Sequence, residues 1–180
     1  RSDRYADPSL DELLSFEDQD EVKDGRDYSA NLSWTTDVGE TGRFGIDGFF
    51  VKTDRDVTEV SHEVEYDDGD VIESNVPGFS PVDQVNWGIG AEYRFEMAGG
   101  TTEIDLDHAR FEDNSSESEQ KHEYVNGEWD ASEAEAQSVD AIDKETGFTL
   151  AHKRPIGSAE LQFGLDYRSK KRDITYTNFA

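Results

Sequence analysis

Strict alternation of apolar and polar residues is the dominant pattern along this chain. In Tyr28-Ser29-Ala30-Asn31-Leu32-Ser33-Trp34-Thr35, one parity reads Tyr, Ala, Leu, Trp and the other Ser, Asn, Ser, Thr. Between Asn86 and Glu96, Trp87, Ile89, Ala91, Tyr93 and Phe95 alternate with Asn86, Gly88, Gly90, Glu92, Arg94 and Glu96. From Ala159 to Arg168 the scheme returns, with Ala, Leu, Phe, Leu and Tyr set against Glu, Gln, Gly, Asp and Arg. Successive side chains of a strand point to opposite faces, so each run predicts a strand with one apolar and one polar face. Phe44 to Lys52 alternates and then blurs at Phe49-Phe50-Val51. Thr102 to Phe111 and Gly147 to Lys153 are weaker strands, each set across a short turn from a stronger one.

The turns are Asp37 to Gly42, Ala98 to Thr101 and Arg154 to Ser158, which carry the Gly or Pro chemistry of tight reversals. Three hairpins follow, occupying residues 28–180. Between them lie two long polar stretches, 54–85 and 112–145. The first ends in Asn75-Val76-Pro77-Gly78-Phe79-Ser80-Pro81, and the second sets 12 acidic residues against Lys121 and Lys144. Compact domains seldom carry connections beyond about 12–15 residues. Short turns at one end and long loops at the other are the asymmetry of a bacterial outer-membrane barrel. The expected fold is therefore all-β: antiparallel up-and-down hairpins forming part of a transmembrane barrel wall, with long acidic extracellular loops. Residues 1–27 are expected as a further outer loop, with Pro8 to Leu14 as a short capped helical turn. Val57 to Tyr66 is expected to continue a strand beyond the membrane.

Composition sharpens this in three ways. Only 33% of residues are apolar and the net charge is -26, yet 11% are aromatic, far more than an acidic solvating tail carries. Acids outnumber bases 43 to 17, which argues against nucleic acid as a partner. The longest purely apolar run, Phe49-Phe50-Val51, is far short of the roughly 20 residues of a membrane-crossing helix. Strands that hide every second residue give a much weaker hydropathy signal, so a barrel stays open. The chain begins at Arg1 and its only methionine is Met97, which suits a piece of a longer protein. Six strands cannot close a barrel that needs at least about eight, so the rest of the wall is expected outside this chain.

Aromatics on the apolar parity, Tyr28, Trp34, Trp87, Tyr93, Phe95 and Tyr167, fall near strand ends, where girdles meet lipid headgroups. The polar parity holds Glu92, Arg94, Glu96, Glu160, Gln162, Asp166 and Arg168, the mixed charge of a wet or plugged lumen. The loop aromatics Tyr66, Phe79, Tyr124 and Trp129 are the candidate ligand-binding residues, because rings on polar loops serve recognition.

The runs from Gly90 to Asp107 and from Gly157 to Tyr167 resemble barrel hairpins of TonB-dependent receptors. The likeness extends loosely over residues 28–175, and the plug domain, TonB box and terminal aromatic strand of that family are not in this sequence. The resemblance implies a barrel of roughly 22 strands with a plugged lumen. It also implies a Gram-negative outer membrane, lipid around the wall, and energy from the TonB complex through parts of the parent outside this chain. The cargo it implies is a scarce nutrient such as an iron chelate, cobalamin or a sugar.

Other chemistry finds little footing. There is no cysteine, and His62, His108, His122 and His152 lack metal-ligand spacing, so no metal site is assigned. No nucleophile elbow or phosphate-binding fingerprint occurs, since Gly88-Ile89-Gly90 stops after two glycines, and no enzyme is expected. Glu17 to Glu21 and Asp67 to Asp70 are clustered oxygens that suit calcium, but neither is an EF-hand: counted from Asp20, the third position is Val22. No cofactor is expected beyond that candidate ion. A soluble β-sandwich obeys the same alternation. It leaves a second reading, a soluble or surface-attached all-β binding module whose acidic loops hold calcium or a partner.

Overall fold

The computed structural model describes the backbone of residues 2–7, 12–67 and 69–179, and side chains within 15–67 and 69–179. It is all-β. Strands β1 (Ser2–Asp7), β2 (Glu12–Val38), β3 (Gly42–Asp67), β4 (Asp70–Met97), β5 (Gly100–Val125), β6 (Glu128–Ile156) and β7 (Ala159–Phe179) follow one another in a single sheet. Every neighbouring pair is antiparallel, in chain order. β1 and β7 are edges, and the sheet is open.

The strands are very long for a globular protein. β3 to β6 hold 26 to 29 residues each, which at about 3.3 Å per residue makes each roughly 90 Å long. This corrects the expected loops, except that Val57 to Tyr66, expected to continue a strand, does lie in β3. Residues 54–67 and 70–85 belong to β3 and β4, and 112–125 and 128–145 to β5 and β6. The opening segment is likewise not an outer loop, since β1 and much of β2 fall in it. Of the expected helical turn, Pro8 to Asp11 lie outside the described residues, and Glu12 onward is strand.

Polar composition misled because cross-strand hydrogen bonds satisfy the backbone whatever the side chains are, and Thr, Ser and charged residues then project into water. Pro77 and Pro81 should have broken a central strand. They sit in β4 without loss of the β3 ladder, where Pro77 faces Val60 and Pro81 faces Asp56. Toward β5 the ladder lapses instead, with pairing at Asn75↔His122, then Gly78↔Glu119 and Phe79↔Ser118, then Val82↔Ser115. The missing N–H groups are tolerated there.

Reversals are tight at both ends. Gly39, Gly99 and Gly157 turn the chain at one end, Gly69 and Gly127 at the other, all at positive φ, a region open to glycine without steric cost. Ala98 and Asn126 precede Gly99 and Gly127 with φ of 53° and 52°, so both turns have the two left-handed residues of a type I′ hairpin. Asn126 also ties the two far tips together. Its Oδ1 accepts from the Val71 amide at 3.0 Å and its Nδ2 donates to Asp70 at 2.7 Å. Its own amide donates to the Val71 carbonyl at 2.8 Å.

No apolar side chain is buried among the described residues. A single layer has nothing to bury it against. The strands must therefore owe their placement to the ladder and to whatever covers their apolar face.

Asn126→Ala is expected to loosen both tips by about 1–2 kcal/mol, from lost hydrogen bonds and an alanine held at positive φ. Amide exchange at Val71 should quicken while that of Ile104 stays unchanged. Equal quickening at both sites would show that the tips are not a local unit.

Candidate functional site

Residues directly opposite in an antiparallel ladder share a face, so the register sorts the side chains. One row runs Trp34, Ile46, Ala91, Leu106, Phe148, Tyr167 across six strands. The next row toward the Gly39, Gly99 and Gly157 turns runs Thr36, Phe44, Tyr93, Ile104, Leu150, Leu165. On the other side lies Leu32, Gly48, Ile89, His108, Thr146, Ser169. These rows make a continuous apolar band, from Ala30 to Val38 on β2 and from Trp87 to Met97 on β4. It is exposed: Leu32 at 64%, Leu106 at 53% and Leu165 at 59%.

Aromatic rings line the turn side of the band in a chain of contacts. Trp34 meets Phe44 at 6.3 Å, Phe44 meets Tyr93 at 6.5 Å, and Tyr93 stacks on Phe95 at 4.9 Å. Such pairs add roughly 0.5–1.5 kcal/mol each beyond area. The polar residues that intrude satisfy one another across strands. His108 pairs with Thr146 at 2.8 Å, and the buried Thr102 pairs with the buried His152 at 2.9 Å. The band is thus apolar outside and has few free polar groups within.

The opposite face of the same segments is charged. Glu92, Arg94, Glu96, Glu160, Gln162, Asp166 and Arg168 all share it by register, joined by Asp47, Glu103, Asp105, Asp107 and Lys153. Thr149 donates to Asp166 at 2.8 Å, and Arg168 donates to Glu145 at 2.9 Å. Glycines make room: Asp47 lies over Gly90 and Asp107 over Gly147, where a Cβ would collide with the carboxylate. The same device explains the blurred alternation at Phe49-Phe50-Val51. Phe49 turns to the charged face and lies over Gly88, while Phe50 stays in line with Trp87.

Tyr66, Phe79, Tyr124 and Trp129 are strand residues, on the face of the apolar band but far beyond it. Tyr124 and Trp129 meet edge to face at 5.6 Å with His122 alongside Trp129. Phe79 is several rows away, beside Ala136 and Phe179 in a shallow groove. The four do not form one site. Of the oxygens expected to suit calcium, those of the first stretch divide between the two faces, whereas Asp67 stands opposite Asp70. Glu17, Gln19 and Glu21 lie on the charged face and Asp18 and Asp20 on the other, and Asp68 is outside the described residues. Carboxylates converge instead at Glu92, Glu103 and Asp105, whose oxygens lie within 4.8 Å of one another. One oxygen from each makes three ligands, fewer than the six to eight that calcium takes. Period-two reading could not find this cluster, because strand pairing alone brings Glu92 opposite Asp105.

No family model matches this chain, and no curated protein matches it. Among solved structures, the crystal structure of the lysenin pore is similar at 13% identity and a TM-score of 0.20, over 91% of this chain and 50% of that one. The chain thus spans half the length of that protein, and the likeness is too slight to bear on fold or function.

Beyond the band, Asp143 accepts from Arg172 Nε at 3.0 Å, with Lys170 at 3.5 Å. The Arg172 hydrogen bond, helped by both positive charges, holds the Asp143 carboxyl below its ordinary 3.8. A carboxylate with a lowered folded value stabilises above its unfolded value, and that contribution is lost as pH falls through the folded one. Arg172→Gln should therefore lower the melting temperature at neutral pH, with the gap closing in strong acid. A gap independent of pH would mean that Arg172 acts through packing alone.

Proposed function

We propose that this chain is wall of an outer-membrane β-barrel, and that its parent is a TonB-dependent-type receptor taking up a small, scarce nutrient. One observation carries the membrane part: an exposed apolar band about 9–11 residues tall, the length a strand needs to cross a bilayer, on a sheet with no buried apolar core among the described residues. Lipid would cover that band and replace the missing core. The opposite face would line the lumen, with Glu92, Arg94, Glu96, Glu160, Gln162, Asp166 and Arg168 in contact with water or with a plug.

In this reading the turns at Gly39, Gly99 and Gly157 lie at the periplasmic side. The acid-rich parts of β2 to β6 then rise roughly 50 Å above the band, at about 3.3 Å per residue. Tyr124, Trp129 and Phe79 would sit on that extension as places for cargo or a surface partner to touch. The receptor assignment is supported by the hairpin resemblance alone, and the missing strands, plug and TonB contact belong to the parent protein. The proposal assigns no catalysis and needs no cofactor.

Tryptophan position tests the membrane part directly. In vesicles of bromine-labelled lipid, single-tryptophan variants that keep Trp34 or Trp87 should be strongly quenched, and the variant that keeps Trp129 should not. Equal quenching of all three, or a chain that stays wholly in the aqueous fraction, would overturn the reading. Leu106→Arg, at mid-band, should cost about 2–4 kcal/mol of folding in the bilayer, whereas Thr149→Arg on the charged face should cost far less. Equal costs would mean that both faces meet the same medium.

A further inference from the structure

At the edge of the apolar band away from the short turns, one row of the same face reads Ala30, Phe50, Trp87, Arg110, Lys144, Lys171. Three basic residues stand side by side on adjacent strands. Like charges directly opposite one another destabilise a sheet, and in a chain of net charge -26 there is no shortage of acids to separate them.

The other face of β6 and β7 is arranged the opposite way. There Glu145 stands opposite Lys170 and Asp143 opposite Arg172, and the contacts close: Arg168 to Glu145 at 2.9 Å and Lys170 to Asp143 at 3.5 Å. In the basic row, Arg110 leans on Glu112 and Lys171 on Asp173 at 2.8 Å, each within its own strand. Lys144, in the middle, makes no ion pair among the described residues. Lys52 adds a further positive charge one row farther out, beside Val85 and paired with Asp83 at 3.4 Å.

We infer that Arg110, Lys144 and Lys171 form a binding row for phosphate-bearing, anionic lipid headgroups. The inference rests on the membrane reading above. The row borders an apolar band of bilayer height, so a lipid whose chains lie on Ile89, Leu106 and Phe148 brings its phosphate to this level. Trp87, in the same row, is the amphipathic ring that favours the headgroup region. A phosphate between Lys144 and its neighbours converts the like-charge repulsion into attraction, and Arg110 supplies a fork that suits phosphate oxygens. The acid-rich extension above repels such lipids, which gives the row a function that net charge would not suggest.

The test is flotation of the full chain with vesicles of phosphatidylcholine alone, or of phosphatidylcholine mixed with phosphatidylglycerol. The expected result is binding to both, stronger for the anionic mixture by about tenfold. Replacing Arg110, Lys144 and Lys171 together by glutamine should abolish that preference and leave binding to phosphatidylcholine intact. Lys144→Gln alone breaks no ion pair and decides the matter should the triple variant fail to insert: the preference must fall about threefold. Lys170→Gln, on the opposite face, should leave it unchanged.

Equal or weaker binding to anionic vesicles, as the net charge alone predicts, overturns the inference and leaves the membrane reading standing. So does a preference that inorganic phosphate abolishes at matched phosphate concentration, which would mark a site for the free anion. A loss with Lys170→Gln as large as with Lys144→Gln also overturns it. Flotation with neither vesicle overturns the membrane reading itself, and the inference with it.

Discussion

Cross-strand register is the constraint on which this structure depends. Each hydrogen-bonded ladder fixes which residue stands opposite which, and side chains alternate with a period of two, so a slip of one residue would send a whole strand's apolar set to the charged face. The rows remain in phase across six strands: Trp34 and Tyr167, at opposite edges of the band, belong to the same row. With no buried apolar core among the described residues to enforce the pairing, the phase is kept by tight turns at both ends and by packing within each face.

That packing is unequal along the strands. Within the band, aromatic contacts and hydrogen-bonded His–Thr pairs lock neighbouring strands on the apolar face, while glycines on the charged face let carboxylates lie flat over the adjacent backbone. Farther out, ion pairs and amide contacts take over, such as Gln137 donating to Glu117 at 2.8 Å and Lys121 against Glu123 at 2.8 Å. Exposed pairs of this kind contribute only about 0–1 kcal/mol each. The outer extension is therefore the softer half, and the Asn126 clasp between its tips matters more than a single surface contact ordinarily would.

The functional reading follows from the same asymmetry. An amphipathic sheet with an exposed apolar stripe needs a medium or a partner to cover it, and a stripe of bilayer height with charged lining behind it fits lipid on one side and water on the other. The like-charged row at its border adds a chemical demand for an anion.

Much of the strand content was legible because alternation is written directly in the residues from Tyr28, Asn86 and Ala159 onward, and the pleat obliges such runs to have two unlike faces. The same alternation anticipated that Glu92, Arg94 and Glu96 share one side of β4. What composition concealed was the length of the strands. Polar, acid-rich and proline-bearing stretches such as 70–85 and 112–125 read as loops because local propensity disfavours strand there, whereas paired neighbours satisfy their backbones regardless of side-chain type. The sequence by itself determined the period and hence the two faces. Only the tertiary structure decided the pairing across strands, and with it the carboxylate cluster at Glu92, Glu103 and Asp105 and the basic row at Arg110, Lys144 and Lys171, because residues far apart in the chain become neighbours only through the ladder.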